Sequence, residues 1–234
     1  KGDAGVALAF DDDALILPHY SYSLVSSMMQ CPMSVRLKRF DRLDDGSRIP
    51  QIPGMWNAGG TALHDAIREW ETSEASGYIQ TEDFAAERWK HHFTEEIVSI
   101  TMKTGLGPDK WRVARQGRET REWWLDHGPE MMATYVAAQS GREDEILRLE
   151  LTPALEVEFL TNPEVFGVPV KGFIDAVRWY PKTRDIKVQD FKSGSRMPAD
   201  PLQLQIYGIA LHAAYGDALP PGVTATFGDY WNAR

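Results

Sequence analysis

The stretch from Val168 to Lys192 constrains the fold more than any other part of the chain. It reads as two extended runs joined by a tight turn at Pro181–Arg184. If those four residues form the turn, Tyr180 pairs with Asp185, Trp179 with Ile186 and Val177 with Val188, and Asp175 falls opposite Asp190. Side chains alternate along a strand, so the two acids share the core face with Val177, Trp179, Ile186 and Val188. Directly opposed carboxylates have Cβ atoms ~5 Å apart and repel. Burying them uncompensated costs several kcal/mol or forces one to stay protonated. A divalent cation between them relieves both problems, and oxygen ligands suit Mg²⁺ or Mn²⁺. Lys192, two residues beyond Asp190, projects from the same face, where its ammonium can approach a metal-bound water or a phosphate. The same register sets Arg178 against Lys187 on the opposite face, which counts against it. The plainer alternative for the acids and Lys192 is a surface ion network.

Around this hairpin the chain is predicted to be α+β, with a helical front half and a short sheet followed by a helix. Residues 1–20 read as an irregular lead-in containing Asp11, Asp12 and Asp13. Helical pattern begins at Ser23, and Pro32 suits the first turn of a second helix running to about Phe40. After a loop over 41–56 comes a helix at about Thr61–Thr72, with Leu63, Ala66, Ile67 and Trp70 on one face. Residues 82–147 read as helical, with helices near Asp83–Thr104 and Thr120–Gln139. Strands are expected at Leu155–Leu160, Val168–Tyr180 and Asp185–Phe191. In the closing helix Asp200 is the expected N-cap, Pro201 the first residue, Gln203 a capping-box partner and Gly216 the stop. Residues 1–234 are expected to form one domain, with a helical region at about 20–147 and the sheet and its helix at about 150–216.

Composition bounds the function classes. With 234 residues, 43% apolar and 25% charged, the chain can bury a proper core, which excludes a disordered tail or a disulfide mini-protein. Cys31 is the only cysteine, so an internal disulfide is excluded and a reducing, cytoplasmic setting is expected. No apolar run approaches a membrane span. The formal charge of −9 argues against a nonspecific polycationic coat but leaves room for local basic patches. The chain starts at Lys1 and stops at Arg234 without a terminating signal, so trimmed ends, the C-terminus in particular, are expected.

Other candidates each carry two readings. His64 is a metal ligand or an ordinary helix histidine. Gln203 and Tyr207 lie one helical turn apart, off a stripe of Leu202, Ile206, Ile209 and Ala213. They can reach a phosphate or Lys192, or serve only in capping and packing. Lys110, Arg112, Arg115, Arg118 and Arg121 are interleaved with Trp111, Trp123 and Trp124. They form either a strand-guiding surface with stacking aromatics or a solvated helix face over core tryptophans. Arg36, Lys38, Arg39 and Arg42 form a smaller basic cluster with the same ambiguity.

In chain order the sequence gives Ser21-Tyr22-Ser23, Cys31-Pro32, Gly60-x-x-x-His64, Glu156 or Glu158 on a strand, Gly172-Phe173-Ile174-Asp175, Asp190-Phe191-Lys192-Ser193-Gly194 and Gln203-x-x-x-Tyr207. This series resembles the RecB-like branch of the PD-(D/E)XK nuclease superfamily, which includes CRISPR-associated exonucleases and the nuclease domains of helicase–nuclease complexes. The resemblance covers roughly residues 20–215. It implies a restriction-endonuclease-like core whose short mixed sheet is flanked by helices, with a large helical N-terminal or inserted region. It also implies a Mg²⁺- or Mn²⁺-dependent deoxyribonuclease, an exonuclease of DNA repair, recombination or phage and CRISPR DNA processing, with DNA and a helicase, recombination or CRISPR-adaptation protein as partners. The alternatives are a noncatalytic DNA-binding or assembly module and a structure-specific endonuclease on the same core. The implied metal ligands are Asp175, Asp190, the backbone carbonyl of Phe191 and His64. Lys192 would activate water, and Gln203 and Tyr207 would complete the site. The upstream acid would be Glu156 or Glu158, with Glu156 preferred. Some relatives hold an iron–sulfur cluster on four cysteines; with Cys31 alone, no cluster is expected.

Overall fold

The computed structural model describes residues 19–78, 80–194 and 197–233. The lead-in with Asp11–Asp13 lies outside the described residues. In chain order the elements are α1 (Tyr22–Gln30), α2 (Pro32–Val35, continued by a π-helical turn Arg36–Phe40), α3 (Met55–Ala75), α4 (Glu82–Thr104), a short turn α5 (Ala114–Gly117), α6 (Arg121–Gln139), strands β1 (Glu145–Ile146), β2 (Arg148–Leu149), β3 (Thr152–Pro153) and β4 (Leu155–Leu160), α7 (Pro163–Phe166), β5 (Lys171–Tyr180), β6 (Asp185–Lys192), α8 (Leu202–Tyr215) and β7 (Ala225–Asn232). The protein is therefore mixed α and β, with most of its helices before the sheet and α8 behind it.

Local chemistry sets several ends. The Ser21, Thr81 and Thr120 hydroxyls accept from Leu24, Phe84 and Trp123 N–H groups at the starts of α1, α4 and α6. Gly105 closes α4 in a left-handed conformation. The third helix begins at Met55, a turn and a half before the expected start, so His64 sits in mid-helix. The fifth strand of the main sheet, β7, was not expected: Gly228 and Asp229 interrupt its apolar pattern.

β5 pairs antiparallel with β6, and on its other edge with both β1 and β4; β7 runs parallel to β6. The expected hairpin register holds from Tyr180–Asp185 to Ala176–Gln189. One face of the sheet, through Ala176 and Phe191, joins a core with Leu63, Ile67, Trp89, Trp124 and Tyr135 from the helical half. The other, through Val177, Ile186 and Val188, packs with Tyr207, Ala210 and Leu211 of α8. Helical glycines allow close approach on the first face. A Cβ on Gly59 would lie 2.3 Å from the Trp124 ring, and one on Gly128 the same distance from Trp89.

The paired cations that counted against the register have partners. Arg178 is 0% exposed and salt-bridged to Glu71 of α3, which also accepts from the Tyr135 hydroxyl. Arg178 Nε donates to Gln189 Oε1 at 3.1 Å. Asp144 stands between the two cations, 3.5 Å from Arg178 and 3.2 Å from Lys187. Like charges on neighbouring strands are thus separated by acids from the helical half, which ties that half to the sheet. Removing one partner of such a buried set leaves the others uncompensated, at about 3–5 kcal/mol. Arg178→Ala should lower unfolding stability by about that amount in chemical denaturation; a change under about 1 kcal/mol would show that the network carries no structural load.

Candidate metal centre and active site

The main sheet forks at the two acids. Regular β5–β6 pairing stops at Ala176–Gln189, yet β5 continues beside β4 as far as Lys171, and β6 continues beside β7 as far as Lys192. At the mouth of the fork a side chain replaces the missing rung: Asp175 Oδ2 accepts the Phe191 N–H at 2.6 Å. Asp175 and Asp190 are both buried, at 8% and 3% exposure.

His64 reaches the fork from α3. Its Nε2 bonds the Phe191 carbonyl oxygen at 3.0 Å, which leaves Nδ1 facing Asp175 Oδ1 at 3.5 Å and Glu156 Oε1 at 3.7 Å. Glu156 gets there by leaving the strand pattern. Its φ is +49°, a left-handed conformation that costs a non-glycine residue of order 1 kcal/mol. Glu158 keeps the alternation, is exposed, and forms a salt bridge with Lys171. Of the two acids, Glu156 is the one that meets His64, while Glu158 is taken up by Lys171.

Beside this triad runs a second set of contacts. Lys192 Nζ lies 2.5 Å from Asp190 Oδ2 and donates to Gln203 Oε1 at 3.2 Å. The Gln203 amide donates to Asp190 Oδ1 and to the Tyr207 hydroxyl oxygen, both at 2.7 Å. The buried face of α8 is thus Gln203, Leu204, Tyr207, Ala210 and Leu211, whereas Leu202 and Ile209 of the expected apolar stripe are 44% and 50% exposed. The helix turns its polar pair inward because Asp190 and Lys192 supply partners there. Asp200 accepts the Leu202 N–H at 3.1 Å, but Gln203 serves the site rather than a capping box.

The donor set suits a hard divalent cation. His64, Glu156 and Asp175 each offer a ligand atom, all within 4.8 Å of one another. Ligands on opposite sides of a Mg²⁺ ion are ~4.2 Å apart, so small side-chain adjustments suffice. Asp190 Oδ2 is buried with no aligned hydrogen bond, and its neighbour is the Lys192 ammonium. The electrostatics suit a cation-binding site. Burial opposes charge on His64, but hydrogen bonds to Asp175 and Glu156 outweigh it and push the imidazole up to about 10. Burial, then the Asp175 charge, pushes Asp190 up to about 6.

The front of the fork opens into a cleft of about 480 Å³ lined in part by Tyr22, Arg39, Lys171, Phe173, Asp175 and Asp190. Lys171 was not singled out from the sequence, and Phe173 entered it only as part of the Gly172–Asp175 motif, without a role, although they precede Asp175 by four and two residues and so share its strand face. Behind Lys192 lies a cavity of about 410 Å³ bordered by Trp56, Arg115, Ser193 and Gly194. Arg112 lies over the Trp56 ring at 5.6 Å, and Arg115 is left-handed and paired with Glu119 at 3.2 Å. Arg118 borders a neighbouring cavity with Arg115. Arg121 is exposed at the start of α6 and lines neither cavity beside the fork. Trp111 and Trp124 are buried in the core, and Trp123 stacks on His127 at 4.3 Å.

A forked mixed sheet that gathers acidic residues, a histidine and a strand-end lysine around one cleft is the architecture of a metal-dependent nuclease. The chain belongs to the PD-(D/E)XK nuclease superfamily, whose family model matches residues 19–233. It is similar to the Gene 69 protein of Mycobacterium phage D29, with 29% identity over 209 residues, covering 87% of this chain and 72% of that one. It is also similar to the Gene 69 protein of Mycobacterium phage L5, with 27% identity over 243 aligned positions, covering 95% and 78% of the two chains. The protein is a nuclease that hydrolyses phosphodiester bonds in DNA and uses divalent metal. No helix among the described residues is long and apolar enough to cross a membrane.

Two outcomes follow from the charges. The folded pKa of Asp190 lies above its unfolded value of 3.8, so its ionisation weakens the metal-free fold as pH rises through about 6. Asp190→Asn should stabilise metal-free protein by ~2 kcal/mol at pH 8 and leave it unchanged at pH 4, measured by thermal unfolding; an equal effect at both values would contradict this. Imidazolium at His64 must lose its proton before Nδ1 can ligate metal. Mn²⁺ binding at pH 7.5, measured calorimetrically in buffers of different ionisation enthalpy, should release about one proton from wild type and fewer from His64→Ala.

Proposed function

We propose that the protein is a Mg²⁺- or Mn²⁺-dependent exodeoxyribonuclease of the RecB-like branch, acting at DNA ends in repair, recombination or phage DNA processing. The observation that carries this reading is the convergence of His64 Nδ1, Glu156 Oε1 and Asp175 Oδ1 beside the Asp190–Lys192–Gln203 chain. The ordered motif series, including the helix histidine absent from the plain acid–acid–lysine pattern, supports the RecB-like assignment.

In this reading His64, Glu156 and Asp175 hold the cation, with Asp190 and the Phe191 carbonyl completing its surroundings. A bound divalent ion supplies an acidified water and charge neutralisation at the phosphodiester. Lys192 orients the attacking water and stabilises charge on the phosphate oxygens. Gln203 is a positioning residue: it fixes Lys192 and Asp190 relative to each other and is itself fixed by Tyr207. Burial holds the Tyr207 hydroxyl protonated well above the ordinary range, so it stays neutral beside the acids. Arg112 and Arg115, behind Lys192, contact the DNA backbone, and Arg118 and Arg121 extend that basic surface outward.

With linear and covalently closed circular DNA, we expect Mg²⁺- or Mn²⁺-dependent loss of linear DNA, none in EDTA, and intact circles. Lys192→Ala should reduce the rate about a hundredfold to a thousandfold, and Gln203→Ala about tenfold, with unchanged circular dichroism. Cleavage of closed circles would replace the exonuclease reading with an endonuclease, and wild-type activity in Lys192→Ala would overturn the assigned role.

A further inference from the structure

Phe173 is a half-exposed aromatic residue outside both hydrophobic cores. It lies within the paired segment of β5, opposite Glu158 of β4, yet is 45% exposed. Its side chain lines the cleft that also contains Asp175 and Asp190. Lys171, Phe173 and Asp175 alternate onto one side of the strand, so the ring lies one step from the candidate metal centre. The Lys171 ammonium stands 6.0 Å from the ring centroid, held there by its salt bridge to Glu158. Arg39, on the π-helical turn, and the Tyr22 ring border the same cleft. An open aromatic face flanked by cations is complementary to one flat base with its phosphates. The acids deeper in the cleft repel phosphate, so Lys171 and Arg39 provide the attraction at its mouth.

We propose that Phe173 is the stacking platform for an unpaired base next to the scissile phosphate, with Lys171 and Arg39 contacting the flanking phosphates. A base inside a duplex has both faces covered by its neighbours, and a base of the end pair must leave its partner before it alone can lie on the ring, so the strand entering this cleft is single. The proposal rests on the nuclease reading above and adds the form of DNA that the site accepts and the residue that selects it.

The test is an anisotropy titration with a fluorescein-labelled single-stranded oligonucleotide and a blunt hairpin duplex, with Ca²⁺ in place of Mg²⁺ and substrate integrity checked on gels. Phe173→Ala and Phe173→Leu should each weaken single-strand binding about tenfold and leave duplex binding within twofold, while Phe173→Trp should bind like wild type. Because the ring is exposed, melting temperatures should match. Wild-type affinity in Phe173→Leu, or equal losses on both substrates, would overturn the proposal while leaving the nuclease reading intact. The converse failure is separable: absence of metal-dependent cleavage by wild type in parallel Mg²⁺ reactions would remove the nuclease reading, whatever the binding data show.

Discussion

The Asp175 carboxylate does the work of a backbone rung, and the candidate site depends on that substitution. If β5 and β6 stayed paired to their ends, the Phe191 N–H would bond the β5 backbone rather than the Asp175 side chain. Because Asp175 Oδ2 takes the Phe191 N–H instead, the strands separate by one side chain while their relative register is kept. The opening lets the imidazole of His64 bond the Phe191 carbonyl from one side and Gln203 bond Asp190 from the other. One hydrogen bond thus sets the spacing of groups drawn from α3, β4, β5, β6 and α8.

The fork is held open by a frame that does not take part in it. Arg178, three residues along β5 from Asp175, is clamped by Glu71 and Asp144 and bonded to Gln189. Glu71 lies seven residues, about two turns, beyond His64 on α3, so the ion pair fixes the helix that presents the histidine. The site itself is less comfortable. Glu156 is in a left-handed conformation, Asp190 is buried beside a second acid, and one Asp190 oxygen lacks an aligned donor. Strain and unbalanced charge concentrated at one place in a well-tied scaffold are what a cation-binding catalytic site requires.

Much of this was legible in the sequence because strand pairing has few degrees of freedom. A four-residue turn and apolar alternation sufficed to set the Val177–Val188 and Trp179–Ile186 rungs. What escaped prediction depends on departures from periodicity. Glu156 and Glu158 look equivalent by alternation, and only the left-handed Glu156 backbone separates them. Leu202 and Ile209 of the α8 stripe face outward because the partners of Gln203, Lys192 and Asp190, lie 11 and 13 residues away, beyond the reach of a helical pattern. The Arg178–Lys187 opposition looked unfavourable for the same reason: Glu71 and Asp144 come from distant segments. β7 was hidden by Gly228, which gives way to the Leu204 side chain; a Cβ there would lie 2.5 Å from it.

The fork between β5 and β6 is, on this reading, a divalent-cation site. Anomalous diffraction from crystals soaked in Mn²⁺ tests it most directly. One strong peak is expected at bonding distance, ~2.1–2.3 Å, from carboxylate oxygens of Asp175 and Glu156, with His64 Nδ1 among its ligands. Full soaking with no peak in the fork, or a peak held by other residues while Asp175 keeps only its bond to Phe191, would contradict it.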